Sequence, residues 1–573
     1  MKNRLSFLYT FVFVILVNIL FSFTDLSFDL TEDKKHSIST ETKQILSELD
    51  DIVFIKVYLD GNFPAEFKYL QSEVLNLLIS FKSIVGANFD FEFINPNKLV
   101  NEEERMNLFK QLVKDGLSPT DIEIKTSSSN SNQIIFPCAS IYYKDKQQSV
   151  NFLKNSITKK ASENINASVE ALEFEFISAI QHLTKNKLDK IAFLEGNGEL
   201  NENQVYDITK SVLDDNFNLS YYYNINRFNI KEFTIDSTTM LPDISRQLSA
   251  LNTYKAIIIA KPTIPFNQLD KLLIDQYVMS GGKVLWLVDG VRASMDSLKN
   301  QSGSFIANKN ELNIDDQLLA YGVRINNNLV EDLRSTKIPI ITGYSNNKPQ
   351  QTYFEWPYFP LLVSDSKHPI SKGLDGIKCN FISSIDTIKN NIKKTILLHS
   401  SNKSRLNLIP TKISLGILEN LPAIESYNKK HEPVAVLLEG EFESLYKNRL
   451  ATKNTKIKLK ERSYKTKMII VADGDIIAND VNASGTIFPL AYEPEIKYTY
   501  PGNKHFLINA IQYLCDDNGL SHLKTKELSL RMLNKVKVNK NRLIIQLINI
   551  TIPIVVLLIF TFFFFQYKKR KYA

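Results

Sequence analysis

Hydrophobic positions along this chain fall into two kinds of pattern. Near the ends lie two long uncharged runs, residues 5–24 (LSFLYTFVFVILVNILFSFT) and 543–565 (LIIQLINITIPIVVLLIFTFFFF). A helix of ~20 such residues rises ~30 Å, the thickness of a bilayer's hydrocarbon. Each run is expected to span a membrane, and Pro553 is tolerated in a lipid-embedded helix. Between them the apolar positions recur with short periods. Residues 31–50 read as a polar neck and a short helix capped by Ser39 or Thr40. Residues 51–61 alternate as a strand. Residues 65–85 carry Phe67, Leu70, Val74, Leu77, Leu78 and Phe81 at helical spacing. Phe89, Phe91 and Phe93 alternate strictly in a second strand. A helix over 102–116 follows, then a hairpin over 134–153 that turns at 144–146.

The order β-α-β-α-β-β is that of a thioredoxin-like domain, and Pro137 stands where such folds carry a cis proline. Yet the segment after the first strand is Asp60-Gly61-Asn62-Phe63-Pro64. Thiol-disulfide exchange needs a thiolate there, so redox chemistry is excluded. A helix over 167–185 leads into a second pattern. Strands are expected at 188–196, 254–262 and 283–290, with helices at 203–215 and 266–280 between them. The strand cores are nearly continuous apolar runs, as in parallel strands buried on both faces. Residues 300–430 are mixed and rich in Asn, Ser and Lys. Two more apolar strands, at 433–442 and 467–475, and a helix over 503–515 complete the body. The fold class is therefore α/β: a thioredoxin-like N-terminal domain without redox cysteines, then a doubly wound parallel sheet of amidotransferase-like kind. The expected segments are an anchor (1–28), a small α/β domain (29–160), the larger α/β domain (161–520), a juxtamembrane segment (521–542), a second anchor (543–566) and a basic tail (567–573).

Charge orients the anchors. Lys2 and Arg4 precede the first run, and Asp25, Asp29, Glu32 and Asp33 follow it, which places the N-terminus inside. The second run is basic on both sides, so local charge does not orient it. With two spans, parity brings the C-terminus inside and leaves the middle outside the cytoplasm. The first run is longer than a signal-peptide core and no small-x-small site follows, so it reads as uncleaved. A net charge of +7 over 573 residues does not point to a nucleic-acid binder. The most basic window, 447–467, reads as a solvated loop.

The three cysteines, Cys138, Cys379 and Cys515, are far apart and form neither a disulfide framework nor a zinc site. Seven histidines show no HxxxH or HExxH spacing. The chain has no GxxxxGK[ST] phosphate loop and no GxSxG elbow. Neither a cofactor nor a catalytic set is expected. Candidate chemistry is confined to strand ends: Glu195, Gly196, Asn197, Gly198 and Glu199, then Asp289, then Asp473 and Asp475. Ligands of open α/β sheets bind beyond the C-terminal strand ends, so these acids are candidates to line one crevice around a polar ligand or cation. Asp and Gly are also the usual turn residues after a strand, and turn chemistry alone accounts for each.

Four strings carry a family resemblance: KLLIDQYVMSGGKVLWLVDGV (271–291), EPVAVLLEGEFESLYKNR (432–449), KMIIVADGDIIANDV (467–481) and NKHFLINAIQYLCDDNGLSHLKTKELSLRMLNK (503–535). With LTEDKKHSISTETKQIL near the start and both anchors, they make the chain resemble the GldG family. These are the gliding-associated auxiliary, substrate-binding components of ABC transporters in Bacteroidetes-type bacteria. The resemblance implies an inner-membrane protein with a periplasmic body, and partners in trans: a multi-span ABC permease and a cytoplasmic ATPase. It implies a non-enzymatic subunit linked to gliding motility and secretion. That family commonly has Gly-His-Gly-Glu where this chain has Gly196-Asn197-Gly198-Glu199, so an imidazole is missing from the turn. Two other readings compete, an extracytoplasmic amidotransferase- or hydrolase-like enzyme and a purely structural scaffold.

Overall fold

A computed structural model describes residues 38–99, 101–125, 130–154, 160–185, 187–212, 217–235, 242–300, 303–345, 348–364, 366–448, 459–525 and 542–572. The run at 5–24 lies outside the described residues. The body begins with α1 (Thr40–Ser47), where Ser39 Oγ accepts from Thr42 N at 3.2 Å and satisfies a free helix-start donor. Next come β1 (Val53–Val57), α2 (Ala65–Val85) and β2 (Phe89–Phe93). In α2 the buried residues are Leu70, Val74, Leu78 and Phe81, one face at i, i+4, i+8, i+11. The helix stops at Gly86, whose φ of 77° suits glycine. After α3 (Glu102–Lys114), β3 (Thr120–Lys125) and β4 (Asn130–Ile135) form a two-stranded ribbon that the hydrophobic pattern did not announce. Then β5 (Cys138–Tyr143) and β6 (Lys146–Asn151) make the expected hairpin.

The first sheet has the order β2-β1-β5-β6, with β1 parallel to β2 and antiparallel to β5. Pro137 is trans; the cis X-Pro bond among the described residues is Ile409–Pro410. Helix α4 (Ala161–Thr184) packs on β5, β6 and α2.

The second sheet is built from β7 (Lys190–Glu195), β8 (Asn224–Asn229), β9 (Ala256–Ala260), β10 (Lys283–Leu287), β11 (Lys393–His399), β12 (Pro433–Glu443) and β13 (Arg462–Val471). Its order is β11-β12-β13-β10-β9-β7-β8. Five strands from β8 to β13 are parallel, but β12 runs antiparallel to β13, and β11 antiparallel to β12. The expectation of an all-parallel sheet is thus corrected at one edge. A parallel neighbour needs a crossover, usually a helix, and the described residues between β12 and β13 contain none.

Alternate residues of the central strands feed two apolar layers. Ile257, Ile259, Val284, Trp286, Met468 and Ile470 pack with α5 (Ile244–Leu251) and α6 (Gln268–Met279). Ile258, Ala260, Leu285, Leu287, Ile469 and Val471 face α7 (Pro501–Cys515). The helix expected over 203–215 is replaced by a 3-10 turn at Asn203–Val205 and a single helical turn at Tyr206–Thr209. The buried carboxylate of Asp207 accepts from Val212 N at 2.8 Å and Leu490 N at 2.9 Å, and Ser211 takes a φ of 69°. These contacts pull the chain out of the helix.

Residues between β10 and β11 build smaller antiparallel sheets around Trp356, Tyr358, Phe359 and Phe381, including a long hairpin of Ser335–Ser345 and Lys348–Leu362. Separately, α8 (Arg542–Tyr572) is one continuous helix. Its segment Gln546–Arg570 is long and apolar enough to cross a membrane by length and composition, and all of it is exposed.

Candidate functional site

Four parallel strands end side by side: β7 at Glu195, β9 at Ala260, β10 at Leu287 and β13 at Val471. Shared strand direction puts the turns that follow them on one edge. There the structure brings Asp289, Asp473 and Asp475 together, each with a carboxylate oxygen within 4.8 Å of the others. Lys261, the first residue after β9, reaches into the group. Its ammonium is ion-paired with Asp475 and lies 3.7 Å from Asp289. Backbone donors complete the arrangement. Gly474 N donates to Asp289 Oδ1 at 2.5 Å, Asp475 N to Asp473 Oδ1 at 2.8 Å, and Asn380 N to Asp473 Oδ2 at 3.1 Å.

Burial pushes the Asp289 carboxyl up to about 7, with the Asp475 charge adding to the rise and Lys261 opposing it. Burial also raises Asp473 well above the usual carboxylate range, reinforced by Asp475 and Asp289. At Lys261 burial favours the neutral amine, but Asp475, Asp289 and Asp473 outweigh it and hold the ammonium above its ordinary value. Burial raises the Cys379 thiol, and so does Asp473 beside it, which favours the protonated sulfur over the thiolate. Three such carboxylates are the donor set of a hard divalent cation. Here Lys261 supplies the positive charge from within the protein. Lys261 was missed by sequence reading. Its sequence signal is modest, a lysine directly after the fully apolar strand AIIIA; in the structure it takes a left-handed φ of 53°.

The other candidates form a second group. Glu195 is ion-paired with Arg227 of β8, which also donates to Leu200 O. Residues 196–199 make a tight turn, with φ of 119° at Gly196 and 73° at Gly198. The Asn197 carbonyl accepts from Thr263 N at 2.9 Å and Ile264 N at 2.8 Å. The buried Asn197 amide donates to Pro265 O and to Asp270 Oδ2, both at 3.3 Å. Glu199 Oε2 accepts from Asn197 N at 2.7 Å. Burial raises the Glu199 carboxyl, and the Asn197 N–H opposes that rise. Among the described residues no hydrogen bond or ion pair joins Glu195 or Glu199 to the Asp289 group. The turn is instead fastened to the start of α6, where Asn267 and Asp270 form a reciprocal capping box.

Gly198→Ala tests how tightly the turn is held. Its Cβ would lie 2.2 Å from Thr263 Oγ1, at a φ that L-residues rarely adopt. The substitution is expected to cost about 1–3 kcal/mol, read as a lower thermal unfolding midpoint.

The geometry is that of an α/β body with two groups of acids at its strand ends, one of them paired with a lysine of the same edge. A family model described as an ABC-type uncharacterized transport system matches residues 188–510, over half of the chain. The chain belongs to this family. It is an auxiliary component family of ABC-type transport, and the match spans the whole seven-stranded sheet, with both acid groups inside it. A second model, a domain of unknown function (DUF7088), matches residues 32–142. An uncharacterized protein of Borreliella burgdorferi is 22% identical over 475 residues, covering 80% of this chain and 82% of the relative. Among solved structures, the mmIFT52 N-terminal domain aligns at a TM-score of 0.30 and 14% identity. That alignment covers 57% of this chain and 97% of that one.

Proposed function

We propose that this member of the ABC-transport family is a non-catalytic, membrane-anchored subunit whose partners are a multi-span permease and a cytoplasmic ATPase. The observation that carries the reading is that one chain holds both the transport-family sheet and an exposed apolar helix at Gln546–Arg570. At 1.5 Å per residue this segment is about 37 Å long, more than the ~30 Å of bilayer hydrocarbon. The sequence has no phosphate-cradling GxxxxGK[ST], so ATP hydrolysis is assigned to a partner.

The topology that goes with this reading has the run at 5–24 as a second span, both termini cytoplasmic and the body periplasmic at the inner membrane. The N-terminal sheet serves as a thioredoxin-like binding module without redox chemistry; its strand order β2-β1-β5-β6 and the cysteine-free segment 60–64 support this. The association with gliding motility and secretion rests on the strings at 271–291, 432–449, 467–481 and 503–535.

Affinity purification of the tagged full chain from solubilised membranes tests the assignment. A permease and an ATPase are expected to co-purify in near-stoichiometric amounts. Recovery of neither would sink the proposal. Replacing both apolar runs with unrelated spans is expected to keep the body folded and to lose the permease.

A further inference from the structure

The turn after β7 and the start of α6 share an imbalance of donors and acceptors. Asn197 Oδ1, Glu199 Oε1 and Asp270 Oδ1 are all enclosed, and none has a hydrogen-bond partner among the described residues. Asn197 and Asp270 are fully buried. The three residues are bound to one another: Asn197 N donates to Glu199, and Asn197 Nδ2 donates to Asp270. Asn197 thus spends two polar atoms on its neighbours and Glu199 and Asp270 one each, and every one of the three keeps one oxygen with no donor. A buried acceptor left unsatisfied costs about 1–3 kcal/mol, more when it is charged. Three such oxygens, on residues linked through Asn197, call for an occupant that offers positive charge.

Charge points the same way. Lys231 Nζ is 3.7 Å from Asp270 Oδ2 and is the ammonium ion-paired there. This one ammonium serves two carboxyl groups, since its charge also acts on Glu199. A water molecule has two protons to give and would leave one of the three oxygens without a donor. A cation takes oxygen ligands from several side chains, and amide and carboxylate oxygens are the ligands hard cations select. No buried oxygen of Asp289, Asp473 or Asp475 is left without a donor, since Lys261 and backbone N–H groups supply them.

We propose that Asn197, Glu199 and Asp270 bind a hard, oxygen-ligated cation that fastens the 196–199 turn to the first turn of α6. Ca²⁺ is the first probe, because it accepts mixed carboxylate, amide and water oxygens in irregular geometry. The site is independent of the transport reading, since a chain that met no permease would still bind the ion.

The test uses the full chain in detergent, stripped with chelator and titrated calorimetrically with CaCl₂, and in parallel with MgCl₂ and NaCl. One ion per chain is expected, with at least tenfold weaker binding in Glu199→Gln and Asp270→Asn and unchanged binding in Asp289→Asn. The wild-type unfolding midpoint is expected to rise with the bound ion and not with choline, a measurement that stands even if a variant does not fold. No binding of any of the three ions, binding that survives both Glu199→Gln and Asp270→Asn, or binding lost in Asp289→Asn would each overturn the proposal. So would a wild-type midpoint that no ion moves.

Discussion

Lys261→Met is expected to destabilise the body by about 3–5 kcal/mol at pH 7.5, the usual cost of removing one partner from a buried ion pair. Methionine keeps the length of the side chain and removes the ammonium. Asp475 and Asp289 then face each other across a buried space with no cation between them. Denaturant unfolding of the full chain in detergent measures the loss. An unchanged midpoint would mean that the cluster contributes nothing to the fold.

The pH dependence has a definite sign. Asp289 has an ordinary value of 3.8 and a folded value of about 7. Between those values the folded state binds more protons than the unfolded state. The stability contributed by this carboxyl is therefore complete below about pH 4 and is lost as pH rises through 7. Asp289→Asn is expected to flatten the slope of stability between pH 5 and 8. Lys261→Met is expected to steepen it, because deprotonating the acids is no longer compensated by a cation.

Asp275→Ala is the second large effect, at about 3 kcal/mol or more. Asp275 lies in α6 and is fully buried. Its carboxylate accepts from Ser444 Oγ at 2.6 Å, Leu445 N at 2.9 Å, Gln276 Nε2 at 3.0 Å and Tyr321 OH at 3.1 Å. Burial raises its carboxyl, and these bonds oppose the rise. Alanine would orphan several enclosed donors at about 1–3 kcal/mol each. The effect should appear as faster hydrogen exchange at 444–446 and a lower unfolding midpoint. Because the same helix carries Asp270, the variant should also loosen the 196–199 turn. Unaltered exchange at 444–446 would show that the bonds to Asp275 do not hold that segment.

Much of the fold was legible where burial is two-sided or strictly periodic. The apolar runs at 256–260, 284–287 and 468–471 in β9, β10 and β13 are unbroken because both faces of the sheet are covered there. Helix α2 announced itself by its spacing. The edge strand β8, with the sequence NINRFN, did not, because an edge strand is only partly covered and tolerates polar residues on both sides. The ribbon of β3 and β4 escaped for a similar reason: each strand pairs only with the other. The candidate site was half visible. Asp289, Asp473 and Asp475 were recognisable as acids at strand ends, but Lys261 in their midst was not. The turn at 196–199 was recognisable as a turn, and its attachment to Asp270 was not.

By itself the sequence determined the α/β alternation, two apolar runs long enough to cross a bilayer, the absence of redox, phosphate-loop and serine-elbow motifs, and the acids at strand ends. These are local properties, set by side-chain period, length and residue type. Only the tertiary structure decided that one sheet edge pairs antiparallel, that Lys261 sits among three aspartates and pairs with two of them, and that Asn197, Glu199 and Asp270 each keep a buried oxygen with no donor. Those outcomes depend on which strands lie side by side and where the turns beyond them cross. Residues such as Lys261 and Asp475, 214 positions apart, meet only once the sheet is ordered.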